Sequence, residues 1–538
     1  MLVSLATSIF GVIFSAAPVL AANATEWSSR SIYQLITDRF ATSDDTPVPC
    51  DTGARKYCGG SWKGVTNHLD YIQSMGFDAI WISPVSANLE GATSRGEAFH
   101  GYWTKDLDSL NPHFGTAEDL RALSEALHGR RMYLMLDVVV NHMAAPALPG
   151  NNFTFEGFFH PFTNESYFHK QCFVAESPDP SNQTAVEQCW LGDNDLPLPD
   201  INTEDPDVVK TLLDWIHNLV QDYGVDGLRI DTVKHIRRDF WPDFANAAGV
   251  YTLGEVLIND TSYAAQYTEV VDAILDYPSY FQLANAFLNT EGRFSSLAHV
   301  MTSSQQSYKH GLFRTASFVE NHDQPRLASL TKDQSLIRNA MTFPFVHDGI
   351  PIVYYGQEQG YQGGADPYNR EALWFTAYQQ DKPLVQHIKI MNAARKEAIE
   401  FSPSFLTTPM KLLAVEDHSM AVSKPPMLAL FTNIGSENSR GVTWHVDAVF
   451  PPNELLVDVL TCSKVVADQQ GGVTVPCAYG MPQVLMPAAS LRQGGTVCPE
   501  VATRVRAKSA SLPGVRVTWA VVMASGLFFV LCKSRWMW

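Results

Sequence analysis

The sequence predicts an α/β fold: a (β/α)8 TIM barrel with an irregular subdomain inserted after strand 3 and a C-terminal antiparallel β-sandwich. Three observations carry this. Apolar runs ending in polar chemistry recur up to about residue 400: MYLMLDVVVNHM, GLRIDTVKH, YTLGEVL and ASFVENHDQPR. Active sites of such barrels gather at the C-terminal ends of the strands. Amphipathic helical patterns separate the runs, and alternation of strand and helix produces a parallel sheet. From about Phe405 the pattern changes to short alternating stretches such as MLALFTNI and ELLVDVL, which read as a β-sandwich ending near Cys498.

In order, the strands are Ser31–Phe40, Phe77–Val85, Met132–Val140, Gly227–Ile230, Tyr251–Val256, a weak sixth at Ala273–Leu275, Ala316–Val319 and Ile350–Tyr355. GTAEDLRALSEAL offers Thr116 as N-cap, with Leu120, Leu123 and Leu127 on one face. DPDVVKTLLDWIHNLV repeats the pattern with Val209, Leu212, Ile216 and Leu219. The connection after the third strand exceeds sixty residues and is rich in Asn, Pro, Phe and Gly. A loop of that length in a compact domain is functional or a subdomain.

These readings divide the chain into residues 1–22, 23–404 with an insertion at about 143–204, 405–500 and 501–538. Leu2 to Leu20 carries no charge and AAPVLAA supplies small residues for cleavage, so the first segment reads as a signal peptide. N-x-S/T sequons at Asn152, Asn164, Asn182 and Asn259 agree with export and glycosylation. The last segment has Arg504, Arg506 and Lys508, then the uncharged run Val517–Cys532. That run is shorter than the roughly twenty residues of a membrane helix. It fits the removable tail of a glycosylphosphatidylinositol signal, with Ser509, Ala510 and Ser511 as attachment site. Lys533 and Arg535 after it would suit a single-pass tail. Either anchor places the protein at the cell surface. The formal net charge of −18 argues against nucleic acid and anionic lipid as partners. A monomer is expected.

The chemistry centres on YGVDGLRIDTVKHI. Residues two apart in a strand share a side, so Arg229 and Asp231 project together. A guanidinium beside a carboxylate favours its ionised form, as a covalent nucleophile requires. Glu255 and Asp323 end neighbouring runs. Two carboxylates about 5–5.5 Å apart serve retaining glycoside hydrolysis.

GLRIDTVKH, GEVL, FVENHD and DVVVNH, in this order of resemblance, are similar to the signature regions of the α-amylase family, glycoside hydrolase family 13. The similarity runs from about Trp27 to Cys498 and is closest to the fungal secreted members. It implies Asp231 as nucleophile, Glu255 as general acid and base with a raised pKa, and Asp323 as a third carboxylate binding sugar hydroxyls. It implies sugar contacts from Arg229, from His142, His322 and His100, from Tyr102 and Trp103 in HGYW, from Lys234 and His235, and from Asp366 and Arg370 in GGADPYNRE. It implies a Ca2+ site built from Asn141, Glu187, Asp200 and the His235 carbonyl, tying the insertion to the barrel. It also implies the disulfides Cys50–Cys58, Cys172–Cys189 and Cys462–Cys498, leaving Cys477 and the tail's Cys532 over.

The departures bear on the reaction. After Glu255 the chain reads VLIND, where fungal members usually carry an acidic residue and glycine, so Ile258 and Asn259 flank the acceptor side. Val140 replaces a usual alanine. Three readings follow: an endo-acting hydrolase of α-1,4-glucan, a 4-α-glucanotransferase remodelling wall α-glucan, and a weakly active glucan-binding wall protein. The intact Asp231, Glu255 and Asp323 weigh against the last.

Overall fold

The computed structural model describes residues 22–147, 154–175, 182–437 and 442–504. Most of the expected leader, the Asn152 sequon, Cys532 and the expected anchoring tail lie outside the described residues. Among the described residues no helix is long and apolar enough to cross a membrane.

Eight parallel strands form the barrel: β1 (Ile32–Gln34), β2 (Ala79–Ile82), β3 (Tyr133–Val138), β4 (Gly227–Ile230), β5 (Tyr251–Gly254), β6 (Ala273–Ile274), β7 (Ala316–Ser317) and β8 (Ile350–Tyr354). Strands β6 to β1 pair in sequence order, and β1 pairs with β8, which pairs with β7. A parallel bridge between Leu275 and Ala316 closes the ring. Several strands are shorter than the apolar runs suggest. The expected first strand is β1 followed by a separate helical turn, Thr37–Phe40. Its backbone bends there because the Thr37 amide donates to the Ser83 hydroxyl instead of a neighbouring strand.

The barrel is packed solid at its N-terminal end. Trp27 stacks on Tyr251 with ring centroids 5.3 Å apart, and its indole N–H donates to the Asp226 carbonyl at 2.9 Å. Gly227 permits this approach, since a Cβ there would lie 2.7 Å from the indole. Above it Ile32, Ala79, Met135, Leu253 and Ile352 fill the lumen.

The helices form as their patterns predict. Thr116 caps Ala117–Gly129 in a reciprocal capping box with Asp119. Asp205 caps Pro206–Tyr223, which has proline at its first position and ends at left-handed Gly224. Leu212, Ile216 and Leu219 are buried against the barrel, while Val209 is half-buried beside buried Val208.

The C-terminal domain is a six-stranded antiparallel sheet faced by the two-stranded ribbon Val442–Val446 and Val473–Cys477. Leu428, Leu430, Leu485, Trp444 and Val475 form the core between them. The domain is joined to the barrel by a buried ion pair between Lys424 and Asp348, and Lys424 also donates to the Thr408 carbonyl at 2.7 Å. The three implied disulfides, Cys50–Cys58, Cys172–Cys189 and Cys462–Cys498, are present.

Candidate active site

Parallel register assembles the site. Asp137 on β3 sits opposite Arg229 on β4, and Ile230 sits opposite Gly254 on β5. One residue further, Asp231 and Glu255 emerge at the strand mouths, with their amides bonded to the Val138 and Ile230 carbonyls. Arg229 is fully buried and donates to Asp137 Oδ1 at 2.8 Å and Asp231 Oδ1 at 2.8 Å. Its other terminal nitrogen lies 3.0 Å from Glu255 Oε2. The same oxygen of Glu255 accepts the Thr232 amide at 3.0 Å.

Asp137 was not singled out as a site residue from sequence, although DVVVNH contains it. Its carboxylate also accepts the Trp81 indole at 3.0 Å and the Tyr102 hydroxyl at 2.6 Å. It therefore fixes both the guanidinium and a ring that faces the cleft. Its only signal in the sequence was an acidic residue in the interior of an apolar run, where an unpaired charge is costly.

Arg229 lowers the Asp231 carboxyl as expected, but burial outweighs it. Burial pushes Asp231 well above the usual carboxylate range, Arg229 opposes this, and the negative neighbours Glu255, Asp137 and Asp323 add to the rise. Asp137 is pushed up to about 6, chiefly by burial. One guanidinium shared by three carboxylates cannot offset the removal of all three from water.

A cavity of about 280 Å3 opens above this cluster and brings together His100, Tyr102, Trp103, His142, Asp231, His322, Asp323, Asp366 and Arg370. Arg55, Arg95, Leu191 and Leu198 also line it and were not anticipated. The Tyr102 and His322 rings are nearly coplanar in orientation, with centroids 5.2 Å apart. Burial depresses the pKa of His100 and His322 well below the usual value and that of His142 to about 4. All three imidazoles are thus neutral at physiological pH and offer both a donor and an acceptor to hydroxyl groups. His322 is held by the Gln34 amide, 2.8 Å from its Nδ1, a contact from β1 that spans the barrel. Asp323 is flanked by Arg370 at 3.5 Å, and Arg370 pairs with Asp366 at 3.0 Å.

Three residues expected to contact sugar, Arg229, Lys234 and His235, are not among the side chains that line this cavity. Arg229 is fully buried beneath the cavity and bonds carboxylates. Lys234 donates to the Leu257 carbonyl at 2.9 Å, holding the segment that carries Ile258 and Asn259. His235 is buried, with Nδ1 2.8 Å from the Val186 carbonyl on the short helix Gln183–Gln188 of the insertion.

Asn141 and Asp200, two of the expected calcium ligands, lie side by side. Asn141 Oδ1 and Asp200 Oδ1 are buried oxygens with no hydrogen-bond partner. Asp200 Oδ2 lies 2.6 Å from His169 Nδ1. Glu187 is on the helix whose Val186 carbonyl meets His235, and accepts the Gln183 amide at 2.7 Å. Among the described residues no three His, Cys, Asp or Glu side chains converge as a metal-binding group. The orphaned oxygens belong to an amide and a carboxylate, the donors a hard cation takes.

Comparison with known proteins agrees with this geometry. Residues 34–396 match the α-amylase catalytic domain family, and residues 412–506 match α-amylase domain C. The chain belongs to the α-amylase family. It is 42% identical to an α-amylase of Saccharomycopsis fibuligera over 87% of this chain and 93% of that one. It is 41% identical to α-amylase 1 of Schwanniomyces occidentalis over 91% and 96% of the two chains. The solved α-amylase of Malbranchea cinnamomea superimposes with a TM-score of 0.85 at 43% identity, over 89% of this chain and all 100% of that one. Asp137, which bonds both, is placed to act through Arg229 and Tyr102.

Asp137→Asn keeps the shape but weakens the grip on Arg229. Its kcat on soluble α-glucan is expected to fall about 100-fold, the cost of a small misplacement of reacting groups, with KM changing much less. An unchanged kcat would show that Asp137 does not position the site.

Proposed function

We propose that the protein is a retaining, endo-acting hydrolase of α-1,4-glucosidic bonds in starch-like glucans. The observation that carries this is the guanidinium of Arg229 bonded at once to Asp231 and Glu255, which fixes the two carboxyl groups as neighbours, with Asp231 lining a sugar-sized cleft. Asp231 attacks the anomeric carbon as the glycosidic C–O bond breaks, and Glu255 gives its proton to the departing oxygen. Water then attacks the same carbon, Glu255 takes a proton from it, and Asp231 leaves as carboxylate. Asp323 and the neutral histidines hold hydroxyl groups while the ring distorts. Tyr102 supplies a flat face for the sugar before the scissile bond.

A second reading, 4-α-glucanotransferase, rests on the acceptor side. Ile258 and Asn259 follow the Leu257 carbonyl that Lys234 holds, and a sugar hydroxyl seated there would take the place of water. A weakly active glucan-binding protein has no need of a paired acid and nucleophile.

Tail-free protein incubated with maltopentaose separates these. Hydrolysis yields only shorter sugars with reducing ends rising in step; transfer yields longer sugars early with few new reducing ends. Glu255→Gln is expected to lower either activity at least 100-fold while glucan binding persists. Turnover unaffected by that change would overturn the mechanism.

Asn141, Glu187, Asp200 and the His235 carbonyl would hold Ca2+, which neutralises their charge and ties the insertion to the barrel. The partnerless oxygens of Asn141 and Asp200 support this. Chelation is expected to lower the thermal unfolding midpoint, and added Ca2+ to restore it as binding to the folded state requires. An unchanged midpoint would argue against the site.

The disulfides support export through an oxidising compartment. The leader, the sequons and the tail support a monomeric glycoprotein held at the cell surface by a glycosylphosphatidylinositol or single-pass anchor. Ending the chain after Ser511 is expected to release the protein into the medium; continued retention would refute the anchor.

A further inference from the structure

Beyond the expected sugar contacts, Arg55 lines the cleft, and an exposed aromatic ring, Tyr368, lies two positions after the lining residue Asp366. Arg55 lies in the loop closed by Cys50–Cys58, in a left-handed conformation with φ 50°. Non-glycine residues adopt that region rarely, and usually where the surroundings impose it. Here the Arg55 carbonyl accepts the Glu97 amide at 2.7 Å, and a Cβ on Gly96 would lie 2.3 Å from that of Arg55. The side chain is thereby aimed into the cleft wall. It donates to Asp366 Oδ2 at 2.9 Å and to the Asp366 carbonyl at 3.2 Å, while remaining about one-third exposed.

Two residues after Asp366, Tyr368 is 58% exposed. A single exposed aromatic is ordinarily unremarkable. Tyr368 differs because its turn is rigid. Next to it, Asn369 is fully buried and donates to the carbonyls of His322 and Gln324, both at 2.9 Å. Gly363 packs so closely that a Cβ there would lie 1.8 Å from the Tyr368 carbonyl oxygen. The ring itself lies over Gly53 of the Arg55 loop, 3.6 Å from where a Cβ would stand. A rigid ring held beside a cleft has little conformational freedom to lose on binding.

We propose that Tyr368 and Arg55 form an outer sugar subsite at the donor end of the cleft. It takes the glucose unit next to the one facing Asp366 and Arg370, on the non-reducing side. The C–H face of that ring packs on Tyr368, and its hydroxyls accept from the guanidinium donors that Asp366 leaves free. This rests on the reading of the cleft as an α-1,4-glucan site.

The test is kcat/KM for maltotriose, maltopentaose and maltoheptaose in wild type, Tyr368→Ala and Tyr368→Phe. The ratio of the maltoheptaose to the maltotriose value is expected to fall roughly three- to tenfold in Tyr368→Ala, the worth of one aromatic contact, and to be kept by Tyr368→Phe. Cleavage of end-labelled maltoheptaose is expected to shift toward shorter donor-side fragments in Tyr368→Ala alone. An unchanged ratio, or an equal loss at every chain length, would overturn the subsite. Wild-type protein inert on all three sugars would overturn the glucan reading itself, and the subsite with it.

Discussion

Arg229 is the constraint on which the site depends. It is fully buried, and its partners are Asp137, Asp231 and Glu255. Removing any one of these charges from water is costly, and the attraction of one guanidinium does not balance three carboxylates. Burial accordingly raises the carboxyls of Asp231 and Asp137 against the pull of Arg229. A buried group of carboxylates that stands at a cleft is suited to acid–base and nucleophilic work.

The barrel supplies this cluster through register. Parallel pairing of β3 with β4 places Asp137 beside Arg229, and pairing of β4 with β5 sets Asp231 and Glu255 at the same height. Packing of Trp27 against Tyr251 and Tyr133 fills the opposite end. Contacts from distant strands then orient the rim: Gln34 on β1 steadies His322, and Asn369 beyond β8 braces the backbone that carries His322 and Asp323. The cavity is thus lined from braced elements, with the disulfide-held loop of Arg55 forming part of its wall.

Much of this was legible in the sequence. The strand mouths announced themselves because apolar runs ended in Asp, Glu and His. Thr116 marked a helix start through capping chemistry that is local. What stayed hidden depended on contacts between remote segments. Asp137 read as part of a motif, yet its hold on Trp81, Tyr102 and Arg229 exists only once three strands and the HGYW loop meet. The net direction of the Asp231 shift needs the fold, because burial outweighs the lowering by Arg229 that the motif announces, and two other carboxylates share that guanidinium. Lys234 and His235 share a motif with Asp231, and their bonds to the Leu257 and Val186 carbonyls join segments far apart in the chain.

The most direct measurement is identification of the residue that becomes glycosylated. A fluorinated α-glucosyl fluoride that forms the glycosyl-enzyme quickly and releases it slowly would be incubated with the protein, followed by proteolysis and peptide mass spectrometry. The expected result is one added glycosyl group on the peptide GLRIDTVK, at Asp231. An adduct on another carboxylate, or none while the reagent is turned over with inversion at the anomeric carbon, would contradict the role assigned to the Arg229-held pair.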